Sequence, residues 1–290
     1  MKIYVGIGTT QLQMAPTRIL EESLLKHKGK FELLISSIHH EMEYQSISNH
    51  NHQSIGTVFS LQRFLVAEIG ARHDCELAFY IDSDVICLGD FSQMVETYLQ
   101  SDRMLCVANA NIKFRQSVQS AVMLIRTKDT HRRFLSSALT AYLDGRVTYQ
   151  KLMSGLCEEP AAILAAHIFN SRDHAETGTV FLHYTDLWTQ PWVSPFRPES
   201  IYWLNEHLKL MKSDPRYLKL VQEGVAMSYY RPGILQTNRG LKWSDLCFLP
   251  PQLKVYASRR RFLRLMPDFL LGGLAQIIAF LRSISKNRTT

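Results

Sequence analysis

Short apolar runs and longer segments with helical spacing alternate along the chain. The runs predict buried β-strands at residues 3–8, 31–35, 77–81, 85–88, 105–108, 121–125 and 180–182. Apolar residues three or four positions apart predict helices over residues 16–28, 58–69, 92–99, 199–223 and much of 130–167, and Asp214-Pro215 predicts an interruption of the helix over residues 199–223. Because strands alternate with helices, we predict an α/β fold in which a mostly parallel central sheet has helices on both faces.

Polar residues interrupt this pattern where two of the predicted strands end. Gly8-Thr9 follows the first strand, and Asp82-Ser83-Asp84 follows the strand at residues 77–81. Ligands of such sheets bind outside the carboxyl ends of the strands. Two carboxylates two residues apart repel each other unless a cation or hydrogen-bond donors compensate, and a divalent metal with oxygen ligands can do so. The other interpretation is a polar turn in which an aspartate caps the next segment.

Three further features each have two interpretations. His183 follows a short strand and is either a hydrogen-bonded structural residue or a ligand that completes a site begun by the two aspartates. Arg63 lies on a predicted helix face, where it forms a salt bridge or pairs with a carboxylate or phosphate of the site. The segment Gly6-Ile7-Gly8-Thr9-Thr10-Gln11 predicts a tight turn, and Gln11 in place of a third glycine argues against dinucleotide binding.

The net charge is concentrated near the C-terminus. The 290-residue chain carries +7, and residues 259–290 hold seven basic residues against one acidic residue, which leaves +6 in that segment. Nucleic-acid binding needs Lys and Arg spread along a groove, so we exclude nucleic acid as a partner. We predict one domain over residues 1–250 and a basic tail over residues 251–290.

The tail also has an amphipathic pattern. A helix here would place seven apolar residues on one side, which are Leu263, Met266, Leu270, Leu274, Ile277, Leu281 and Ile284. The longest uncharged apolar stretch, residues 269–281, is shorter than the roughly 20 residues that span a bilayer. We predict an amphipathic helix that binds an anionic membrane surface, and a helix docked on the protein's own core is the alternative.

Two features of the chain concern its compartment. Its five cysteines form no C-x-x-C pair, which predicts a reducing environment. Met1-Lys2 leads directly into an apolar strand, without the pattern of a secretory signal. Together with the tail, these features predict a cytoplasmic protein that is peripheral on the inner face of the membrane.

Several motifs in one order resemble glycosyltransferase family 8, and most of all its bacterial lipopolysaccharide galactosyl- or glucosyltransferase-like members. The motifs are Gly8-Thr9, Phe59-Ser60-Leu61-Gln62-Arg63-Phe64, Tyr80-Ile81-Asp82-Ser83-Asp84, Val122-Met123-Leu124 and His183 with Gln190-Pro191-Trp192. The resemblance runs over residues 3–192 and implies the GT-A fold, a Rossmann-like domain. It implies Mn²⁺-dependent, retaining transfer of a hexose (glucose or galactose) from a UDP-sugar to a saccharide or lipid-linked acceptor.

The resemblance also implies roles for individual residues. Asp82, Asp84 and His183 would be the ligands of Mn²⁺ (or Mg²⁺) together with the UDP-sugar. Gly8 and Thr9 would line the uridine pocket, and Arg63 would brace the Asp82-Ser83-Asp84 segment or the donor. The resemblance also assigns Ser83 and Asn170 to the donor site, and it assigns no nucleophile. The chain departs from the family pattern at Gln190, where the family often has lysine, and at Gln119-Ser120-Ala121, where it commonly has Asn, a small residue and Gly.

Two other functions stay open from the sequence. A sugar-1-phosphate nucleotidyltransferase would share an α/β nucleotide site, but it needs a glycine-rich loop with arginine that Gly8-Thr9-Thr10-Gln11 does not supply. A catalytically inactive, membrane-peripheral protein that binds nucleotide sugars is the second. UDP binding that depends on Mn²⁺, measured beside sugar release, separates all three functions.

Overall fold

The strands in the described part of the chain form two sheets. The computed structural model describes residues 1–41, 44, 58–109, 119–158, 162–165, 169, 171–188, 190–236, 243–246, 248, 271–274, 276–278 and 280–281. The strands are β1 (Lys2–Gly8), β2 (Glu32–Ser37), β3 (Leu77–Asp82), β4 (Val85–Cys87), β5 (Leu105–Asn109), β6 (Gln119–Arg126), β7 (Ala162–Ala165), β8 (Ser171–Arg172) and β9 (Phe181–His183). Two compact units are present, Met1–Gln13 with Leu20–His183, and Met14–Ile19 with Tyr184–Thr290.

The larger sheet belongs to the first unit and has the order β2-β1-β3-β6-β5-β7. β1 pairs in parallel with β2 and β3, and β5 pairs in parallel with β7. β6 runs antiparallel to both of its neighbours, β3 and β5. The mostly parallel sheet predicted from the sequence is therefore confirmed, with one reversed strand.

The smaller sheet has the order β4-β9-β8. β4 pairs antiparallel with β9, and Val85 lies opposite His183 in this register. The short strand predicted at residues 85–88 therefore exists, but it belongs to this separate sheet. Because β4 begins directly after Asp84, the pairing carries His183 to the end of β3.

Helices cover the strands of the first unit and form most of the second. They are α1 (Met14–His27), α2 (Val66–Arg72), α3 (Ser92–Leu99), α4 (Asp129–Leu143), α5 (Tyr149–Glu158), α6 (Ser200–Ser213), α7 (Pro215–Ala226) and α8 (Trp243–Leu246). The helix predicted over residues 58–69 is a 3-10 helix, Val58–Phe64, followed by α2. The helical prediction for residues 130–167 is confirmed for α4 and α5 and wrong for β7. Four apolar residues are too few to show the spacing of a helix or of a strand, so the pairing with the parallel strand β5 determines the conformation of β7.

The two faces of β1 and β3 pack into different cores. Ile3, Val5 and Ile7 belong to one apolar cluster, and Tyr4 belongs to the other together with Tyr80. Gly6 and Gly8 alternate with the first set and lie on the Tyr4 face, inside the strand. The tight turn predicted over residues 6–11 therefore lies after Gly8, where the Gln13 N–H donates to the Thr10 carbonyl at 2.9 Å. A Cβ atom at Gly6 would lie 2.7 Å from Cδ1 of Ile38, so this face of β1 has no room for a side chain there.

The second unit has an aromatic core and a C-terminal helical segment. Trp192 and Trp203 pack with ring centroids 5.4 Å apart, and Trp203 stacks on His207. Residues 271–274, 276–278 and 280–281 are helical. No helix in the described part of the chain is long and apolar enough to cross a membrane. The predicted boundary between residues 250 and 251 falls outside the described residues and stays a prediction.

Candidate metal centre

Three potential metal ligands converge at the carboxyl end of β3. Asp82 is the last residue of β3, Asp84 precedes β4, and His183 ends β9. One ligand atom from each residue lies within 4.8 Å of the other two. Nε2 of His183 is 3.1 Å from Oδ1 of Asp84. This is the distance of a hydrogen-bonded ion pair, and the three residues are close enough together to share one cation.

The chemistry of these residues also fits a divalent cation. Asp82 is 8% exposed and His183 is 9% exposed, so both have lost most of their water. Nδ1 of His183 is buried and has no hydrogen-bond partner among the described residues. Buried carboxylates close together need a compensating positive charge. Asp82, Asp84 and His183 therefore form a group that can hold a metal ion.

The electrostatics of the group show the same need for positive charge. Burial raises the pKa of Asp82 above its ordinary value, Arg63 opposes this shift, and the neighbouring charge of Asp84 adds to it. Burial on its own lowers the pKa of His183, but the carboxylates of Asp84 and Asp82 raise it, and the net shift is upward. The two carboxylates thus favour positive charge at this position, whether it comes from His183 or from a cation.

Arg63 and Tyr80 lie behind the metal group and contact Asp82. The Tyr80 hydroxyl donates to Oδ1 of Asp82 at 2.5 Å, and Nη2 of Arg63 is 3.5 Å from the same oxygen. Arg63 also donates to the hydroxyl of Ser120, and its guanidinium lies 5.2 Å from the centroid of the Tyr80 ring. Sequence reasoning missed Tyr80, although its position two residues before Asp82 puts both side chains on one face of the strand.

The segment Gly8-Thr9 is fixed beside the metal group by hydrogen bonds of its main chain. The Thr9 N–H donates to Oε1 of Gln62, and Nε2 of Gln62 donates to the Thr9 carbonyl, both at 2.8 Å. The Ser83 N–H donates to the Gly8 carbonyl at 2.9 Å, and the Ser83 hydroxyl donates to Gln13. The structure thus brings Gly8, Thr9 and Ser83 to the metal group, and all three are buried. Gln62 was missed, since its partner is 53 positions away in the chain.

The remaining predicted site residues are placed as follows. Asn170 lies outside the described residues. The side chain of Gln190, which stands where the family often has lysine, is buried and donates to the Tyr184 carbonyl at 3.1 Å. The assignment of Gly8, Thr9, Arg63, Ser83 and Asn170 to a nucleotide sugar stays a prediction.

Known structures resemble the fold of this chain. The glycosyltransferase GlyE of Streptococcus pneumoniae TIGR4 aligns with a TM-score of 0.50 at 18% identity, over 80% of this chain and 64% of that one. Its apo form gives the same TM-score at 16% identity, over 80% and 65% of the two chains. The galactosyltransferase LgtC, in a complex with donor and acceptor sugar analogs, gives 0.46 at 13% identity, over 77% and 96%. No protein-family model matches the chain, and no curated protein sequence does. The likeness to GlyE is one of fold, and it confirms the predicted GT-A architecture.

Proposed function

We propose that this protein is a glycosyltransferase that moves a hexose, glucose or galactose, from a UDP-sugar to a saccharide or lipid-linked acceptor. The observation that carries the proposal is the group of Asp82, Asp84 and His183 at the carboxyl end of β3. In sheets of this type, that edge is where ligands bind. GlyE is also called a glycosyltransferase, and a shared fold supports the proposal without deciding the chemistry.

The chain's own residues would hold the cation and orient the donor. Two carboxylates and one imidazole suit Mn²⁺, or Mg²⁺ with more water in its shell. When bound, the cation supplies positive charge for the diphosphate as it leaves. Arg63 and Tyr80 keep Asp82 in place, and the main chain of Gly8-Thr9, fixed by Gln62, forms the adjoining wall.

We further propose that the transfer retains the configuration of the anomeric carbon. The bond between the anomeric carbon and the diphosphate oxygen breaks, and a bond from that carbon to the acceptor hydroxyl oxygen forms on the same face. The hydroxyl proton passes to the departing diphosphate. This route requires no enzymatic nucleophile, unlike that of retaining glycosidases, which use a second carboxylate.

The C-terminal segment would bring the enzyme to an anionic membrane surface on the cytoplasmic side, where lipid-linked acceptors are found. Leu271 and Gln276 are buried, and Nε2 of Gln276 donates to the Val193 carbonyl at 3.1 Å. Ile277 and Leu281 are more than half exposed, at 57% and 58%. The segment thus packs on its own unit through one side and presents apolar residues on another, next to the +6 charge of residues 259–290.

Calorimetric UDP titrations with and without Mn²⁺, run beside a screen of UDP-sugars for Mn²⁺-dependent sugar release, test the enzymatic proposal. We expect Mn²⁺ to strengthen UDP binding to the wild-type protein and Asp84→Asn to remove this effect and sugar release. His183→Ala should weaken both less, since water can replace one neutral ligand. Asp144→Asn, an exposed substitution in the same unit, is the matched control.

Each alternative gives a different result. Mn²⁺-dependent UDP affinity that is unchanged in Asp84→Asn and His183→Ala would contradict the metal assignment. UDP binding without any sugar release would favour the inactive binding protein, and release of pyrophosphate from UTP with a sugar-1-phosphate would favour the nucleotidyltransferase.

A further inference from the structure

The hydroxyl of Tyr80 lies beneath the metal group, where it contacts both Asp82 and Arg63. Tyr80 and Asp82 alternate with Ile81 on β3, so both point to the same face of the sheet. Tyr80 is fully buried, and its hydroxyl is 2.5 Å from Oδ1 of Asp82. The phenol donates this hydrogen bond and the carboxylate oxygen accepts it.

The two oxygens of Asp82 are therefore not equivalent. Oδ1 accepts from Tyr80 and is also 3.5 Å from Nη2 of Arg63. Arg63 is itself fixed, because Nη1 donates to Ser120 and the guanidinium lies over the Tyr80 ring. Because Oδ1 already accepts from Tyr80 and lies near the charge of Arg63, Oδ2 keeps more of its capacity to bind a cation.

The sequence of β1 makes room for this arrangement. Gly8 pairs with Asp82 in the parallel register of β1 and β3. A Cβ atom at Gly8 would overlap the Tyr80 hydroxyl and would lie 2.6 Å from Cζ of the same ring. The glycine at the end of β1 is therefore explained by the space that the Tyr80 hydroxyl occupies.

We propose that Tyr80 is a positioning residue for the cation site, one that orients Asp82 without touching the cation. The inference rests on the proposed cation site and adds a residue to it. A carboxylate that is already oriented loses less freedom when it binds a metal, and loss of such an outer partner typically weakens metal affinity about 10- to 100-fold.

The test is a direct Mn²⁺ titration of Tyr80→Phe, in which the free Mn²⁺ is measured by electron paramagnetic resonance, so that no turnover is needed. We expect Mn²⁺ to bind at least about 10-fold more weakly than to the wild type. The matched control is Tyr98→Phe in the same unit, where the hydroxyl donates to the Met104 carbonyl at 2.6 Å. This control should lower the melting temperature and leave Mn²⁺ affinity unchanged.

A second variant keeps Tyr80 and displaces its hydroxyl. Gly8→Ala places a methyl group where the hydroxyl lies, and we expect Mn²⁺ affinity to fall here as well. Wild-type Mn²⁺ affinity in folded Tyr80→Phe or in folded Gly8→Ala would overturn the inference, even where the wild type binds Mn²⁺ as proposed. A wild type that binds no Mn²⁺ would overturn the proposed function together with it. If neither variant folds, the hydroxyl is needed for folding and the positioning role is likewise overturned.

Discussion

At the scale of single residues, His207 shows how packing can select one tautomer of a buried ring. Nε2 lies 2.9 Å from the carbonyl oxygen of Ile234, which can only accept, so Nε2 carries the proton. Nδ1 lies 2.6 Å from the hydroxyl of Tyr217 and therefore accepts its proton. The neutral ring is fully partnered, and a second proton would have to displace the Tyr217 donor.

The stability of the protein should therefore depend on pH through His207. Burial lowers its pKa to about 4 in the folded protein, against about 6.5 in the unfolded chain. Between these values the unfolded state binds more protons, so this contribution is complete above about pH 6.5 and is lost as the pH falls toward 4. We expect a loss of roughly 3 kcal/mol in the free energy of unfolding.

Urea titrations at a series of pH values, on the wild type and on His207→Gln, measure this contribution. Because His207→Gln has no titrating group at this position, its free energy of unfolding should fall less steeply over the same window. Equal slopes in the two proteins would show that His207 is not the group responsible.

A buried ion pair makes a second prediction at this scale. Arg231 and Asp245 are fully buried, with Nη1 and Oδ2 2.9 Å apart, and the Gly233 N–H donates to Oδ1 of Asp245 at 2.6 Å. Asp245→Ala leaves a buried guanidinium without this partner and should cost about 3–5 kcal/mol. Asp245→Asn should cost less, since its amide oxygen can still accept from Gly233.

Thermal and urea unfolding of both variants check this prediction. Asp144→Ala breaks an ion pair with Arg146 of similar length, 2.8 Å, but more than half exposed on both sides. That control should cost less than about 1 kcal/mol. Similar losses in Asp245→Ala and Asp144→Ala would contradict the assigned role of burial.

At the scale of helices, two glycines should respond in opposite ways to the same substitution. A Cβ atom at Gly224 in α7 would overlap the ring of Tyr230, whereas a Cβ atom at Gly155 in α5 would meet no atom within 4 Å. Gly155→Ala should stabilise the protein by about 0.5–1 kcal/mol through helix propensity. Gly224→Ala should instead destabilise it by about 1–3 kcal/mol, because overpacking outweighs propensity. Urea unfolding of both variants measures the difference, and a gain in stability at Gly224 would contradict the packing.

The elements also show which features can be predicted from a sequence. β1, β3 and α3, and the break between α6 and α7 at Asp214-Pro215, follow from local patterns, and all were predicted. β7 was missed because a run of four apolar residues fits a strand and a helix equally well. Only the pairing with β5 decides between them. Local pattern left two interpretations open for the two aspartates and the histidine, and the resemblance to glycosyltransferase family 8 implied that they share a site. Gln62 could not be predicted, since its role depends on a contact with Thr9 that only the folded chain creates.

At the scale of the whole molecule, the charge distribution predicts how the protein meets a membrane. Full-length protein should bind vesicles that contain anionic lipid at low salt and should detach as salt rises, because the +6 of residues 259–290 acts through screened electrostatics. Cosedimentation with anionic and with zwitterionic vesicles measures this difference.

Two variants separate the apolar and the electrostatic contributions. The first is a double variant that removes exposed apolar area, Ile277→Ser with Leu281→Ser. The second is a triple variant that removes three charges, Arg259→Gln with Arg260→Gln and Arg261→Gln. Both should bind anionic vesicles more weakly than the wild type, and only the second should have a shallower salt dependence. Full-length protein that ignores anionic vesicles at low salt would contradict the proposed anchor.

The pairing of β4 with β9 also determines when, during synthesis of the chain, the cation site can be completed. His183 is 99 residues later in the chain than Asp84. At about 5–20 residues per second, a ribosome adds it roughly 5–20 seconds after the two aspartates. During that interval the nascent chain has the carboxylates without the histidine, and β4 has no partner strand β9. A complete cation site can therefore form only on a chain whose synthesis has passed residue 183, so Mn²⁺ capture would mark a late stage in the making of the protein.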